Sequence, residues 1–171
     1  MGKKSLYTIG YEGADLGDFI ATLKAQDIQQ VIDIRELPLS RKRGFSKNAL
    51  KDALAKRGIA YLHVRPLGDP KAGRMAARAG DFATFRRLYT AHLRQKDSQE
   101  ALTEASKVAK QKTSVLLCYE LDYKNCHRSI VANSLSDDFD FTVKHILVGK
   151  TSASKSRNKD DRSPIGVGAF G

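Results

Sequence analysis

The chain has 171 residues, an apolar fraction of 41% and a formal net charge of +11. This length suits one domain with a hydrophobic core, and no apolar run reaches the ~18 residues of a membrane span, so we expect no transmembrane helix. The positive charge favours an anionic partner, either nucleic acid or a small molecule such as a nucleotide, over an acidic protein surface. The alternative is that the charge only keeps the chain in solution, because part of it lies in the last 22 residues.

The amino terminus and the cysteine content bear on location. No apolar signal-peptide segment follows Met1, so we expect a cytoplasmic protein. In that compartment Cys118 and Cys126 are expected to be reduced, although transient pairing stays open.

Short apolar runs that alternate with amphipathic segments predict strands that alternate with helices. In the first half of the chain the predicted elements are a strand at 6–9, a helix capped by Asp15, a strand at 31–34, a helix from Ser46 to Gly58 and a strand at 59–64. A basic segment at 71–80 follows, which is a loop or a short helix. The second half has a helix capped by Asp81, a helix across 102–109, a strand at 115–117, a helix at 129–135, an acidic turn at Asp137 and Asp138, and a strand at 142–148.

This alternation predicts an α/β fold of one domain. We expect a mainly parallel sheet of about five strands with helices on both faces, a three-layer arrangement of the Rossmann-like or flavodoxin-like kind. The domain is predicted to span 1–149. Residues 150–171 are polar, basic and without periodicity, which predicts a disordered tail.

Several chemically capable side chains directly follow predicted strands. In a parallel sheet the carboxyl ends of all strands meet at one edge, where ligands bind. We therefore expect one site built from separate loops. Its members are Tyr11 and Glu12, Arg35 and Glu36, the segment 67–69, and the segment 118–128.

Cys126 is the first candidate nucleophile. It precedes a predicted helix and neighbours His127 and Arg128, and both the helix dipole and a guanidinium favour the thiolate. Cys118 is a second candidate, as nucleophile or ligand. A purely structural role for either cysteine is the alternative reading.

The residue types Cys118, Glu120, Cys126 and His127 also suit zinc. Their spacing argues against it, because seven residues separate the cysteines and adjacent residues rarely reach one ion. We therefore predict no metal site and assign no cofactor. The segment also lacks the Cys-x5-Arg loop of tyrosine phosphatases.

Two arginines are candidate anion-binding residues. Arg35 follows a strand and Arg128 begins a helix, and guanidinium groups match phosphate or carboxylate bidentately. Glu12, Asp33 and Glu120 are candidate acids or bases, although Asp33 could simply end its strand with a hydrogen bond to a loop amide.

A basic loop adds further candidates for substrate binding. Arg41 stands near Phe45, and a cation beside an aromatic ring suits a nucleic-acid backbone with base stacking. The alternative is a solvated loop. With these two, the predicted substrate or anion-binding set is Arg35, Arg128, Tyr11, His127, Arg41, Phe45 and Gly68.

Together these motifs resemble the DUF488 family of uncharacterised bacterial and archaeal proteins. The resemblance covers about 5–148 and rests on the segments 8–13, 33–35 with Pro38, Ser40 and Phe45, 67–68, 117–120 and 126–128. It implies a small α/β domain with these motifs at one site, and it brings no settled reaction. Where this family often has a second glycine after Leu-Gly, this chain has Asp69.

The residues favour an enzyme that acts on a nucleotide or a nucleic-acid-derived anion, as a hydrolase or transferase. In that interpretation the arginines hold phosphate, a carboxylate serves as base, and a cysteine serves as nucleophile or ligand. Two alternatives stay open. One is a non-catalytic nucleic-acid-binding module, and the other is a redox or metal-binding protein that uses Cys118 and Cys126.

Overall fold

The computed structural model describes residues 2–150, which form five strands and six α-helices. The strands are β1 (Lys4–Gly10), β2 (Gln30–Asp33), β3 (Ala60–His63), β4 (Ser114–Cys118) and β5 (Phe141–His145). The helices are α1 (Leu16–Ala25), α2 (Lys47–Ala55), α3 (Lys71–Arg78), α4 (Phe82–Leu93), α5 (Lys96–Gln111) and α6 (His127–Phe139). Short 3-10 turns lie at Arg65–Leu67 and Tyr123–Asn125.

All strand pairs are parallel, in the order β3-β2-β4-β1-β5. The central strand β4 is buried along its whole length, and β2 likewise, which explains their nearly continuous apolar sequences. Parallel strands bury both faces because the crossover helices cover them, so the predicted three-layer α/β fold is confirmed.

The two faces of the sheet carry separate hydrophobic cores. On one face, Phe19 and Leu23 of α1 and Leu50 of α2 pack against Val31 and Val115 of the sheet. On the other face, residues of α4, α5 and α6 pack against Ile32, Leu116 and their neighbours, with Tyr89, Leu102 and Leu135 among the buried side chains.

The topology creates a crevice between the carboxyl ends of β1 and β4. These strands are neighbours, but α1 leaves β1 toward β2 over one face, whereas α6 leaves β4 toward β5 over the other. Where neighbouring connections diverge in this way, an open α/β sheet forms its ligand-binding crevice. The segment 118–128 therefore lies at the place that this topology favours for a site.

The predicted starts of three helices are confirmed, at Asp15, Ser46 and Asp81. Asp15 and Asp81 are N-caps whose carboxylates accept backbone hydrogen bonds from Asp18 and Thr84. Ser46 occupies an N-cap position but its hydroxyl donates to the Ser40 carbonyl instead.

One boundary prediction is wrong, and one choice that the sequence left open is decided. The basic segment 71–80, expected to be a loop or a short helix, contains the short helix α3. The acidic pair Asp137 and Asp138 belongs to α6, which begins at His127 and turns only at Asp140, a residue with φ of 65°. Asp tolerates the left-handed conformation better than most residues, so the turn forms at Asp140, two residues after the acidic pair.

Within residues 2–150 no helix is long and apolar enough to cross a membrane. The predicted disordered tail, 150–171, falls outside the described residues except for Lys150, so it stays a prediction.

Candidate functional site

The site is built around the closest approach of β1 to the segment after β4. Gly10 is in register with Cys118, and a Cβ on Gly10 would collide with the Glu120 carbonyl and lie 2.7 Å from Arg128 Nη1. Glycine is therefore required here by space, since the loop after β4 folds directly over the end of β1. This approach brings residues 10 and 120 together across more than a hundred residues of chain.

Two thiols and a carboxylate converge under this loop. The Sγ atoms of Cys118 and Cys126 are 2.6 Å apart, and Cys126 Sγ donates to Glu120 Oε2 at 3.3 Å. Cys118 is fully buried and Cys126 is 2% exposed, whereas Glu120 lies at the surface. The carboxylate thus separates the sulfur pair from solvent.

Cys126 does not favour the thiolate as its sequence position predicted. Burial raises the pKa of the Cys126 thiol well above its usual value, and the neighbouring Cys118 and Glu120 add to that shift. Arg128 acts in the opposite direction but does not outweigh them. The prediction of a depressed pKa is wrong, because the N-cap position that places Cys126 at the helix dipole also seals it in the interior.

His127 is held in one tautomer. Its Nε2 lies 2.7 Å from the Ile34 carbonyl, which can only accept, so Nε2 carries the proton and Nδ1 has a free lone pair. That lone pair lies 3.8 Å from Cys126 Sγ. Burial lowers the pKa of His127, which keeps the imidazole neutral.

Arg128 is fully buried and fastens the loop after β4 to the sheet. Its Nε donates to Thr8 Oγ1 at 3.2 Å, Nη1 donates to Cys118 Sγ at 2.9 Å and to the Glu120 carbonyl, and Nη2 donates to the Leu121 carbonyl at 3.1 Å. Its donors are thus directed at the protein itself, and anion binding by this guanidinium stays a prediction.

Arg35 is likewise held by the protein. Asp33, which is fully buried, accepts from Arg35 Nε at 2.8 Å and Nη2 at 2.7 Å, and also from the Tyr61 hydroxyl. Burial opposes the charge of Arg35, but Asp33 outweighs it and holds the arginine pKa above its ordinary value. Asp33 is thereby occupied as an ion-pair partner, and its role as a base stays a prediction.

Two predicted binding residues complete the surroundings of Arg35. Its Nη1 donates to the Tyr11 hydroxyl and, at 2.7 Å, to the Phe45 carbonyl. The Tyr11 and Phe45 rings stack with centroids 4.5 Å apart, and both are buried. A nucleobase could reach the Phe45 ring only if Tyr11 moved. Tyr119, which packs edge-on against Tyr11, is 48% exposed and presents an aromatic ring at this surface.

Asp69 lies in a loop that the sequence placed at this edge, although the sequence analysis did not select it as a catalytic or binding residue. Its carboxyl group is 6% exposed, and its Oδ1 has no hydrogen-bond partner among the described residues. Burial raises its pKa to about 7, with Glu120 and Glu36 adding to the shift against Arg74. A carboxyl group that titrates near neutrality is suited to proton transfer. The sequence signal that could have identified it is the aspartate at a position where the family often has a second glycine.

The loop around Asp69 is placed by two close approaches. Gly68 lies against the backbone of Glu36, where a Cβ would collide, so this glycine too is required by space. Arg74 of α3 then donates to Glu36 and to the Asp69 carbonyl. The predicted site residue Gly68 therefore positions a loop, and the loops after β2 and β3 form one continuous surface.

The remaining predicted residues lie toward solvent. Glu12 is exposed, and its Oε2 accepts from the Leu121 amide at 2.8 Å, which ties the loop after β1 to the loop after β4. Arg41 is exposed in the loop after β2. The structure thus gathers the predicted residues at one edge of the sheet, while several of them face inward.

One group of side chains at this edge could hold a metal ion. A sulfur from Cys118, a sulfur from Cys126 and a carboxylate oxygen of Glu120 all lie within 4.8 Å of one another. This proximity in space was hidden by the long spacing along the chain, on which the expectation of no metal site was based.

The fold and the site define a three-layer α/β protein with two buried thiols beside a surface carboxylate at the switch point of a parallel sheet. A family model described as "Domain of unknown function DUF488" matches residues 15–135, and the chain belongs to this family. Comparisons with curated proteins and with solved structures gave no match.

Proposed function

We propose that this protein is an enzyme that acts on a nucleotide or a nucleic-acid-derived anion, as a hydrolase or transferase, at the carboxyl edge of its sheet. The observation that carries this proposal is the 3.3 Å contact between Cys126 Sγ and Glu120 Oε2 in the crevice between β1 and β4. A thiol with a raised pKa needs a nearby base, and Glu120 is placed to take its proton.

The chemistry would proceed in a simple way. The Cys126 S–H bond breaks as the proton passes to Glu120 Oε2, and the sulfur electron pair forms a bond to an electrophilic carbon or phosphorus of the substrate. The bond from that atom to the leaving group breaks, and the leaving group departs with the electron pair and takes up a proton. Water or an acceptor hydroxyl then attacks the same atom and loses a proton, and the sulfur leaves and regains the proton held by Glu120. Asp69, with its buried free oxygen and pKa of about 7, is a candidate for the second proton transfer, to the leaving group or from water.

The surface around the crevice supports an anionic substrate with an apolar part. Five exposed cations belong to the loop after β2 or to the segment that carries α3: Arg41, Arg43, Arg65, Lys71 and Arg78. Exposed apolar side chains lie in the same segments and after β4: Leu37, Leu39, Met75, Tyr119 and Leu121. Cations for phosphate and apolar or aromatic groups for bases are what single-stranded nucleic acid or a nucleotide requires.

Binding is tested by fluorescence anisotropy with a labelled single-stranded oligonucleotide, with unlabelled nucleotides as competitors, over a range of salt. The double variant Arg41→Ala/Arg43→Ala should weaken binding and reduce the salt slope by about 1.4, since each phosphate contact on a single strand contributes about 0.7. Lys107→Ala/Lys112→Ala removes the same charge from exposed positions near the carboxyl end of α5, which leads to the start of β4 at the opposite edge of the sheet, and is the matched control. Equal losses in both variants would show that the edge has no special affinity.

Turnover is tested by incubating the protein with pooled nucleotides and short oligonucleotides and identifying products by mass spectrometry. Cys126→Ser and Glu120→Gln should each lose product formation by at least about a hundredfold, which is the usual contribution of a general base or nucleophile. Glu104→Gln, an exposed carboxylate on α5, should keep full activity. The catalytic proposal fails if no member of the panel is altered, or if Cys126→Ser retains the activity.

A second candidate is reversible disulfide formation between Cys118 and Cys126, which their separation of 2.6 Å favours. The two thiols would lose two protons and two electrons to a peroxide or disulfide oxidant. Oxidation with diamide should lower the intact mass by two hydrogen atoms and leave no alkylatable thiol. Two free thiols after that treatment would exclude this candidate.

A further inference from the structure

We propose that the reduced protein binds one zinc-class divalent cation through Cys118 Sγ, Cys126 Sγ and a carboxylate oxygen of Glu120. This inference concerns the cluster described above, but it does not depend on turnover. It assigns to the protein a metal site that its sequence spacing argued against.

The donor atoms fit a cation of this class. Two sulfurs and one carboxylate oxygen are ligands that zinc accepts, whereas magnesium and calcium prefer oxygen alone. The three atoms come from the end of β4, from the loop that follows it and from the N-cap of α6. Two of these three ligands are thus anchored on regular elements, which keeps the site in shape without the ion.

The distances are close to those a tetrahedral ion needs. With Zn–S bonds of about 2.3 Å and a Zn–O bond of about 2.0 Å, sulfur and oxygen ligands lie ~3.5 Å apart and two sulfurs ~3.8 Å apart. Cys126 Sγ and Glu120 Oε2 are 3.3 Å apart, near the required value. The sulfurs, 2.6 Å apart, must separate by about 1.2 Å, which rotations of roughly 20° about the Cα–Cβ bonds of both cysteines provide without leaving their rotamer wells.

The charges of the cluster also balance. Binding replaces two thiol protons, released to solvent, with one divalent cation, so the exchange leaves the net charge of the cluster unchanged. Arg128 Nη1, 2.9 Å from Cys118 Sγ, then donates to a thiolate, an outer contact that orients a metal ligand.

His127 lies beside the three ligands, next to Cys126. Its Nε2 is held by the Ile34 carbonyl, so the Nδ1 lone pair faces Cys126 Sγ at 3.8 Å. A histidine fixed by a carbonyl on one nitrogen and free on the other is the arrangement that metal-ligating imidazoles adopt. The lone pair on His127 Nδ1 therefore adds a second feature, beside the three ligands, that suits a cation at this site.

The test uses the full-length protein, stripped of metal with a chelator and kept under a phosphine reductant, titrated with Co²⁺. Thiolate coordination should produce intense sulfur-to-cobalt charge-transfer absorption that saturates at one ion per chain, that Zn²⁺ reverses and that Mg²⁺ does not. Cys118→Ser and Cys126→Ser should abolish this absorption. Glu120→Gln should weaken Co²⁺ binding at least tenfold, while Glu104→Gln binds as wild type does.

A second measurement distinguishes loss of the ligands from misfolding of a cysteine variant. Wild type with both cysteines alkylated, which keeps its far-UV circular dichroism, must also lose the absorption. The proposal is overturned if saturating Co²⁺ gives no charge-transfer band with the reduced wild type, or if Glu120→Gln binds Co²⁺ as tightly as wild type. Metal binding without turnover of any nucleotide leaves this site standing and removes the proposed enzyme. If Co²⁺ gives no band and the metal-free protein turns over a nucleotide, the metal site is excluded and the proposed enzyme stands.

Discussion

Replacing Arg128 with methionine tests whether this arginine holds the site together. Met keeps an unbranched apolar side chain in the space of the arginine stem but removes every hydrogen-bond donor. The fully buried guanidinium donates to Thr8, to Cys118 and to the carbonyls of Glu120 and Leu121. Arg128→Met therefore leaves these acceptors without their partners beneath the loop that follows β4.

The expected loss of stability follows from two opposing terms. Hydrogen bonds from a charged donor contribute about 1.5–3 kcal/mol each, and four are lost. Removing a buried cation recovers a desolvation cost of several kcal/mol. The balance is a destabilisation of about 3 kcal/mol, which for a chain of this size corresponds to a fall in Tm of about 6–12 °C.

Urea and thermal unfolding followed by circular dichroism measure this loss. Arg57→Met, at an exposed position just after α2, is the matched control and should change stability by less than about 0.5 kcal/mol. Amide exchange in residues 119–125 should accelerate in Arg128→Met before the rest of the sheet opens. A variant within about 1 kcal/mol of wild type that has lost nucleotide binding would refute this reasoning and restore Arg128 as an anion-binding residue.

Three further predictions follow from the structure. Because burial raises the pKa of Asp69 to about 7, the folded protein keeps a proton that the unfolded chain releases near pH 4, so wild type loses stability as pH rises across that interval. Asp69→Asn should therefore gain about 2–3 kcal/mol on wild type between pH 5 and pH 8 in urea unfolding, and a pH-independent difference would contradict this. Gly10→Ala should cost at least about 3 kcal/mol in the same assay, because its methyl group collides with the Glu120 carbonyl, while Gly2→Ala, which has open space, should be neutral. Deleting 151–171, which includes four Lys or Arg, should reduce the salt slope of oligonucleotide binding by up to about 3; an unchanged slope would exclude the tail from binding.

The sequence determined the fold class and the place of the site. Short apolar runs such as 115–117, alternating with amphipathic segments, are typical of strands buried on both faces, and the amphipathic segments between them cover those faces. Loops after parallel strands meet at one edge for topological reasons, so Glu12, Gly68 and Glu120 could be assigned to a common edge without coordinates.

The direction of each side chain was decided only by tertiary structure. Arg35 and Arg128 stand after a strand and at a helix start, where arginines commonly meet an anion, yet their donors are met by Asp33 and by the loop after β4. No local pattern distinguishes the two outcomes, because the deciding partners include Thr8, 120 residues from Arg128. Phe45 is similar: a neighbouring Arg suggests a surface, but Tyr11 stacks over its ring.

The chemistry of the cluster was decided at the same level. Position at the start of a helix favours a thiolate at Cys126, but burial beside Cys118 and Glu120 reverses that preference, since desolvation in a packed interior exceeds the effect of one helix terminus. The metal-ligating geometry depends on a loop that returns Cys126 to the end of β4, which the separation of the cysteines along the chain conceals. Local sequence sets which side chains are available at the edge, and the packing of distant segments sets their charge, their partners and their exposure to a ligand.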